Sequence, residues 1–390
     1  MMTGCEIWNS KNIKRASGCR VISAGSGYHS IYSDGLAIYF REGSSLCRLN
    51  EDRSVTIVDN GFPSPGGRTV FHTHYDRTYL SDGVRSRIIQ GGSVRSWGII
   101  PPGLPTVSNG AGSLISGRYH VGVTYLRNDG QESGTSGLAA VDSTGGVVVT
   151  VVASSDPGVS NICVYITSAG GDIPYLRAVL PNQNWSGPIA LGIGSGRPLD
   201  TDFCSPPPPS TVFAEYKGRM YLASDDNIVF TRSGNQYEII GPLDRSFIPL
   251  GEEPTNIMPV DDGIWVTTSS HSMFLQGSDP YEDKGLVVKF KRRLGGIKYS
   301  GRLVDADTVT SRVPLQGRVA IWSSGAGICL GAAGGYFKNI TGDYFQPTSE
   351  DPGMSFVRNV RNLDQYIFGL GTSSLGSRLI LPVANLNNTQ

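Results

Sequence analysis

The chain has 390 residues, 51 of them glycine and 23 proline, with 33 Lys+Arg balanced by 33 Asp+Glu. So much Gly and Pro excludes a helical protein, because both residues penalise helix interiors. Recurring clusters of Val, Ile, Leu, Tyr and Phe exclude a disordered one. The neutral total excludes a whole-protein footprint for nucleic acid or anionic membrane and leaves only local patches.

The first ten residues, Met1 to Ser10, lack the basic and apolar regions of a secretory signal. No apolar run reaches bilayer-spanning length. Cys5, Cys19, Cys47, Cys163, Cys204 and Cys329 are scattered without a CxxC pair. That pattern reads as free thiols in a reducing cytoplasm.

From Asp34 onward the chain runs turn, strand, turn, strand. Gly35 to Phe40, Leu46 to Leu49 and Val55 to Val58 are the first strands, and Tyr75 to Gly83, Val84 to Ile89 and Val94 to Gly98 continue the cadence. Ser33-Asp34-Gly35 and Ser81-Asp82-Gly83 read as hairpin turns. The cadence returns with Lys217 to Ala223 and Asn227 to Thr231, then Asp261 to Thr267 and His271 to Leu275. Gln316 to Trp322, Gly327 to Leu330 and Gly335 to Phe337 follow, and Asp364 to Gly369 with Ser377 to Leu381 close the series. Meanders of this kind, none able to bury its face alone, predict an all-β fold: a β-propeller of five or six irregular blades. A β-helix or stacked sandwiches are the rival arrangements.

One interruption divides the repeats. Pro101-Pro102-Gly103-Leu104-Pro105 opens it and Pro206-Pro207-Pro208-Pro209 closes it, both as stiff linkers. About seven strands between them, including Gly117 to Leu126, Gly146 to Ala153, Ser160 to Thr167 and Tyr175 to Leu180, predict an inserted immunoglobulin/fibronectin-like β-sandwich. The organisation is therefore 1–100 as the first part of the propeller, 101–209 as the insertion, and 210–390 as the second part of the propeller and the C-terminal strands.

Chemistry is sparse. His72 and His74 share a strand face and could begin a metal site, with Asp76 and Asp82 as nearby candidates. Two half-exposed strand histidines are the plainer reading. Gly192 to Gly196 is followed by Arg197-Pro198 instead of a helix, so it reads as a turn and not a dinucleotide loop. The carboxylate pairs Asp225-Asp226, Glu252-Glu253 and Asp261-Asp262 sit where acidic residues shape turns. No catalytic residue, cofactor or resident metal is predicted. The one dense basic feature is Lys289-Phe290-Lys291-Arg292-Arg293. As a strand it places Lys289, Lys291 and Arg293 on one face and Phe290 with Arg292 on the other. Such a face could track DNA or guard a subunit-facing edge.

Several stretches in order carry a resemblance: Val94 to Gly103, then Ser116 to Tyr125 and Asp129 to Gly134, then Tyr216 to Tyr221 and Met258 to Val266. Together, over roughly residues 20 to 370, the chain resembles the β-propeller tail nozzle (tail tube) proteins of short-tailed bacteriophages. The resemblance implies a virion structural protein, assembled in the host bacterial cytoplasm into a hexameric ring below the portal and adaptor. Such a ring would continue the DNA channel, retain the packaged genome until ejection, and carry tail fibres or spikes, without membrane insertion. Lys289, Lys291, Arg292 and Arg293 would then face the DNA channel or a neighbouring subunit. The alternative is a carbohydrate-binding or depolymerising propeller at the host surface, using aromatics such as Trp185, Tyr281 and Tyr336.

Overall fold

The computed structural model describes residues 5–9, 12–15, 28–63, 67–189, 196–234, 236–242, 245–281, 285–308, 315–342, 353–360, 363–370 and 378–382. The Gly-rich turn at 192–196 lies outside them apart from Gly196. No described segment is an α-helix, and no helix is long and apolar enough to cross a membrane.

The strands fall into consecutive antiparallel meanders. A hairpin of β1 (Cys5–Asn9) and β2 (Asn12–Arg15) comes first. Blade I holds β3 (Tyr28–Ser33), β4 (Ile38–Glu42), β5 (Ser45–Leu49) and β6 (Val55–Asp59). Blade II holds β7 (Val70–His74), β8 (Arg77–Ser81), β9 (Ser86–Gln90) and β10 (Ser93–Ser96).

The chain then leaves for seven strands: β11 (Thr106–Gly110), β12 (Gly117–Arg127), β13 (Ala139–Ser143), β14 (Gly146–Val151), β15 (Val159–Ile166), β16 (Tyr175–Pro181) and β17 (Trp185–Pro188). They form two sheets, β11-β14-β17 and β13-β12-β15-β16. Alternation makes this a sandwich. Tyr119, Val121, Val123 and Tyr125 of β12 meet Val147, Val149 and Val151 of β14 in one buried cluster. Each such aliphatic side chain contributes about 1.5–3 kcal/mol of burial.

Blade III holds β18 (Phe213–Tyr216), β19 (Arg219–Ser224), β20 (Asn227–Phe230) and β21 (Phe247–Pro249). Blade IV holds β22 (Asn256–Val260), β23 (Gly263–Thr267), β24 (Ser272–Gln276) and β25 (Val287–Arg292). Blade V holds β26 (Arg302–Asp305), β27 (Arg318–Ser324), β28 (Gly327–Gly331) and β29 (Phe337–Asn339). Blade VI holds β30 (Gly353–Val360), β31 (Leu363–Leu370) and β32 (Arg378–Pro382), with β1 alongside β32.

The first strands of successive blades lie beside one another, β7 with β18, β18 with β22, β22 with β26, and β26 with β30. Blade I joins through Tyr32, whose hydroxyl donates to Thr73 Oγ1 at 3.0 Å while its ring stacks on Phe71. A ring of first strands with sheets radiating from it is a β-propeller. The blades adhere through apolar faces. Between blades IV and V, Trp265 and Trp322 are fully buried with ring centroids 5.5 Å apart.

Turn chemistry matches the sequence expectation. Asp34 Oδ1 accepts the Leu36 and Ala37 N–H groups, and Asp82 Oδ1 accepts those of Val84 and Arg85. Gly35 and Gly83 take φ of 91° and 87°, a region an L side chain enters only with strain. The four cysteines with described side chains, Cys47, Cys163, Cys204 and Cys329, are buried free thiols.

Candidate functional site

The basic segment forms the outermost strand of blade IV. β25 pairs with β24, and its other edge pairs with no strand among the described residues. Val287 and Val288 at its start are 55% and 47% exposed, so one end of this edge is apolar. Lys289, Lys291, Arg292 and Arg293 are all exposed, and no described carboxylate pairs with them.

Their arrangement departs from simple alternation. Phe274 pairs with Phe290 and Leu275 with Val288, which leaves Lys289 as the extra residue of a β-bulge. The strand ends at Arg292, so Arg293 lies beyond it. Three cations on one regular strand face, as the sequence predicts, are therefore not formed. The other half of the expectation stands. Phe290 stacks on Phe337 at 5.6 Å, and the Arg292 guanidinium lies 4.9 Å from the centre of the same ring. Lys289, Lys291 and Arg293 are left as cations around a bulged edge that has no strand partner among the described residues.

A second cluster lies at the inner seam between blades II and III. His72 and His74 sit two residues apart on β7, the edge strand of blade II, and Glu215 comes from β18 of blade III. One ligand atom from each of the three lies within 4.8 Å of the others. The Nε2 atoms of both histidines are shielded from solvent and have no hydrogen-bond partner. Burial pushes the His72 imidazole down to about 4, with Glu215 pulling the other way, so the ring is neutral near pH 7.

Neither acidic residue near the pair in sequence takes part. Asp76 Oδ2 accepts from Gln90 at 2.7 Å, and Asp82 is bound to Arg41 and its own turn. Sequence reasoning missed Glu215 because its strand follows the whole inserted domain, and no local spacing links it to β7.

The remaining candidates are structural. Glu252 accepts from Thr268 Oγ1 at 2.6 Å and from Ser270, while Glu253 takes the Lys298 ammonium. Asp262 accepts the Gly334 N–H at 2.9 Å, and Asp261 accepts that of Arg318. These carboxylates hold loops. Trp185 packs on the sandwich core and Tyr336 on the core of blades V and VI. Tyr281 is half exposed, but its hydroxyl lies 2.9 Å from Ser246 Oγ and its ring sits edge-on to Phe230. A cleft of about 860 Å³ opens where the insertion rejoins the propeller, lined by residues including Pro101, Ser136, Phe203 and Arg245.

One buried carboxylate gathers contacts between the insertion and the propeller, beside the ion pairs of Asp129 in the insertion with Arg77 and Arg95. Glu238, in the connection between β20 and β21, is 1% exposed and accepts from Arg77 and Arg95 of blade II and from Arg127 at the end of β12. Arg127 also reaches Asp156 at 2.6 Å and the carbonyls of Ser96 and Gly98. Trp97 Nε1 donates to the Tyr237 carbonyl at 2.7 Å beside this network.

No protein-family model and no curated protein matches the sequence. Among solved structures, BBS1N in its complex with ARL6DN is 12% identical, with 92% of this chain and 94% of that one covered at a TM-score of 0.33. Kluyveromyces lactis Hsv2p is 8% identical, covering 91% and 97% at a TM-score of 0.29. PorZ of the Porphyromonas gingivalis type-IX secretion system is 11% identical, covering 90% of this chain and 58% of its own at 0.25. With TM-scores this low, the propeller reading rests on the chain's own sheets.

Proposed function

We propose that this chain is a structural, ring-forming component of a short phage tail, a nozzle subunit. Its ring would continue the DNA channel below the portal and adaptor, retain the packaged genome and support fibres or spikes. The observation that carries the reading is the outermost strand of blade IV. An open backbone edge flanked by exposed Val287 and Val288 offers another subunit main-chain pairing and apolar contact. The bulge at Lys289 and the surrounding cations keep that edge from pairing indiscriminately. A rigid propeller with a clamped insertion suits a part that bears load, and the carboxylate pairs are occupied with loops. The carbohydrate reading is the weaker one, since Trp185 and Tyr336 are half-buried and packed against cores.

Electron microscopy of the purified protein is expected to show closed six-fold rings, with Val287→Lys/Val288→Lys remaining monomeric. A wild-type monomer with glycan-hydrolysing activity would overturn the reading. The ring should also bind duplex DNA with a steep salt dependence. Lys289→Ala/Lys291→Ala/Arg293→Ala should flatten the slope of log K against log salt by about 2–3. An unchanged slope would remove these cations from any channel.

A further inference from the structure

The inner seam carries a feature that a purely structural ring does not require. We propose that His72, His74 and Glu215 bind a divalent transition-metal ion, zinc by preference, which clips blade II to blade III.

The donor set is suited to such an ion. Two imidazole nitrogens and one carboxylate oxygen favour zinc, cobalt or nickel over magnesium or calcium, which want oxygen cages. A tetrahedral zinc site places its N and O ligands about 3.4 Å apart, from metal–ligand bonds of about 2.0–2.2 Å. The three ligand atoms already lie within 4.8 Å of one another, so modest side-chain rotations close the site. Three protein ligands leave a fourth position for water.

Two independent observations point to a ligand there. The Nε2 atoms of both histidines are buried without a hydrogen-bond partner, although a carboxylate stands beside them. Buried polar atoms are normally satisfied, and each orphan is destabilising, so two unpartnered imidazoles in one cluster with a carboxylate call for a shared partner. The carboxylate is also oriented from outside the cluster. Glu215 Oε1 accepts the Gly218 N–H at 2.9 Å, and the Tyr237 hydroxyl hydrogen-bonds the same side chain. Tyr237 in turn sets its ring edge-on to His74, 4.9 Å between centroids. Supporting contacts of this kind hold metal ligands in place.

The position gives the ion a task. Blades II and III are neighbours in space, but the whole sandwich separates them in the chain. A clip across β7 and β18 closes that loop and secures a seam whose two blades no short connection joins.

The full-length protein, stripped with chelator and dialysed, is to be titrated with Zn²⁺ and Co²⁺. One ion per chain is expected, with a cobalt spectrum of nitrogen and oxygen ligation and a melting temperature that rises with zinc. Glu215→Gln keeps the side-chain shape and should lose at least tenfold in zinc affinity; His74→Ala should lose binding altogether. Wild-type protein that takes up no ion overturns the proposal. So does a thiolate charge-transfer band in the cobalt spectrum, which would assign the ion to cysteines. Because the cobalt spectrum is read on wild-type protein, the outcome stands even if a variant fails to fold. Ring formation is a separate readout, so failure here leaves the nozzle reading untouched.

Discussion

Glu238→Ala is expected to destabilise the protein by about 3–5 kcal/mol, because it strands buried positive charge. Arg127 is only 2% exposed at its side chain, and Arg95 only 19%. Asp156 remains to pair Arg127, but among the described residues Arg95 keeps only Asp129, at 3.4 Å, as a counter-charge, beside a long hydrogen bond to Gln90. The carboxylate touches three parts at once: blade II through Arg77 and Arg95, the sandwich through Arg127, and blade III through its own backbone. Its loss should therefore change cooperativity as well as stability. Differential scanning calorimetry is expected to resolve a sandwich transition separate from that of the propeller, where wild type melts as one unit. Arg77→Ala is the graded control. That side chain is 29% exposed, and its pairing is worth about 1 kcal/mol or less. A Glu238→Ala trace that overlays wild type would show that the insertion is held by something else.

The second large effect concerns Arg41 and Asp82. Both side chains have no solvent exposure and their ion pair is 3.2 Å long. Burial pulls the guanidinium below its usual value and the Asp82 hydrogen bond pushes it back up. Arg41 also donates to Thr69 Oγ1 and to the carbonyls of Gly43 and Pro63, so it staples blade I to the start of blade II. Asp82→Asn keeps an oxygen for the Val84 and Arg85 N–H groups but removes the charge. It is expected to lose about 3–5 kcal/mol in urea unfolding, since a buried guanidinium is left uncompensated. Arg41→Met/Asp82→Asn should recover part of that loss, because the charge itself is then gone. If the single variant loses under 1 kcal/mol, the pair is not the determinant of this seam.

Much of the architecture was legible because each blade is a local object. Asp34-Gly35 and Asp82-Gly83 announce their turns through side-chain acceptors two and three residues back from the N–H groups they bind. The strands of Lys217 to Thr231 and Asp261 to Leu275 pair with neighbours a few residues away. The insertion was visible for another reason: proline runs at 101–105 and 206–209 interrupt the pattern, and odd-numbered residues of β12 alternate inward over one long strand.

What escaped the sequence lies in strand register and between blades. The bulge at Lys289 depends on how Phe274 and Leu275 are seated in β24, and a one-residue slip rearranges which cations share a side. Nothing local in the sequence sets Arg41 apart from other strand arginines; it is Asp82 of the next blade that pairs with it.

By itself, then, the sequence determined the all-β repeat, its turns and the place where it is interrupted, since these follow from propensity and spacing along a few residues. Only the tertiary structure decided which distant groups meet: Glu238 with three arginines, and Glu215 with His72 and His74. The physical reason is the same in both cases. A propeller ring brings first strands together whatever their separation in the chain, and periodicity carries no information about side chains meeting across that seam.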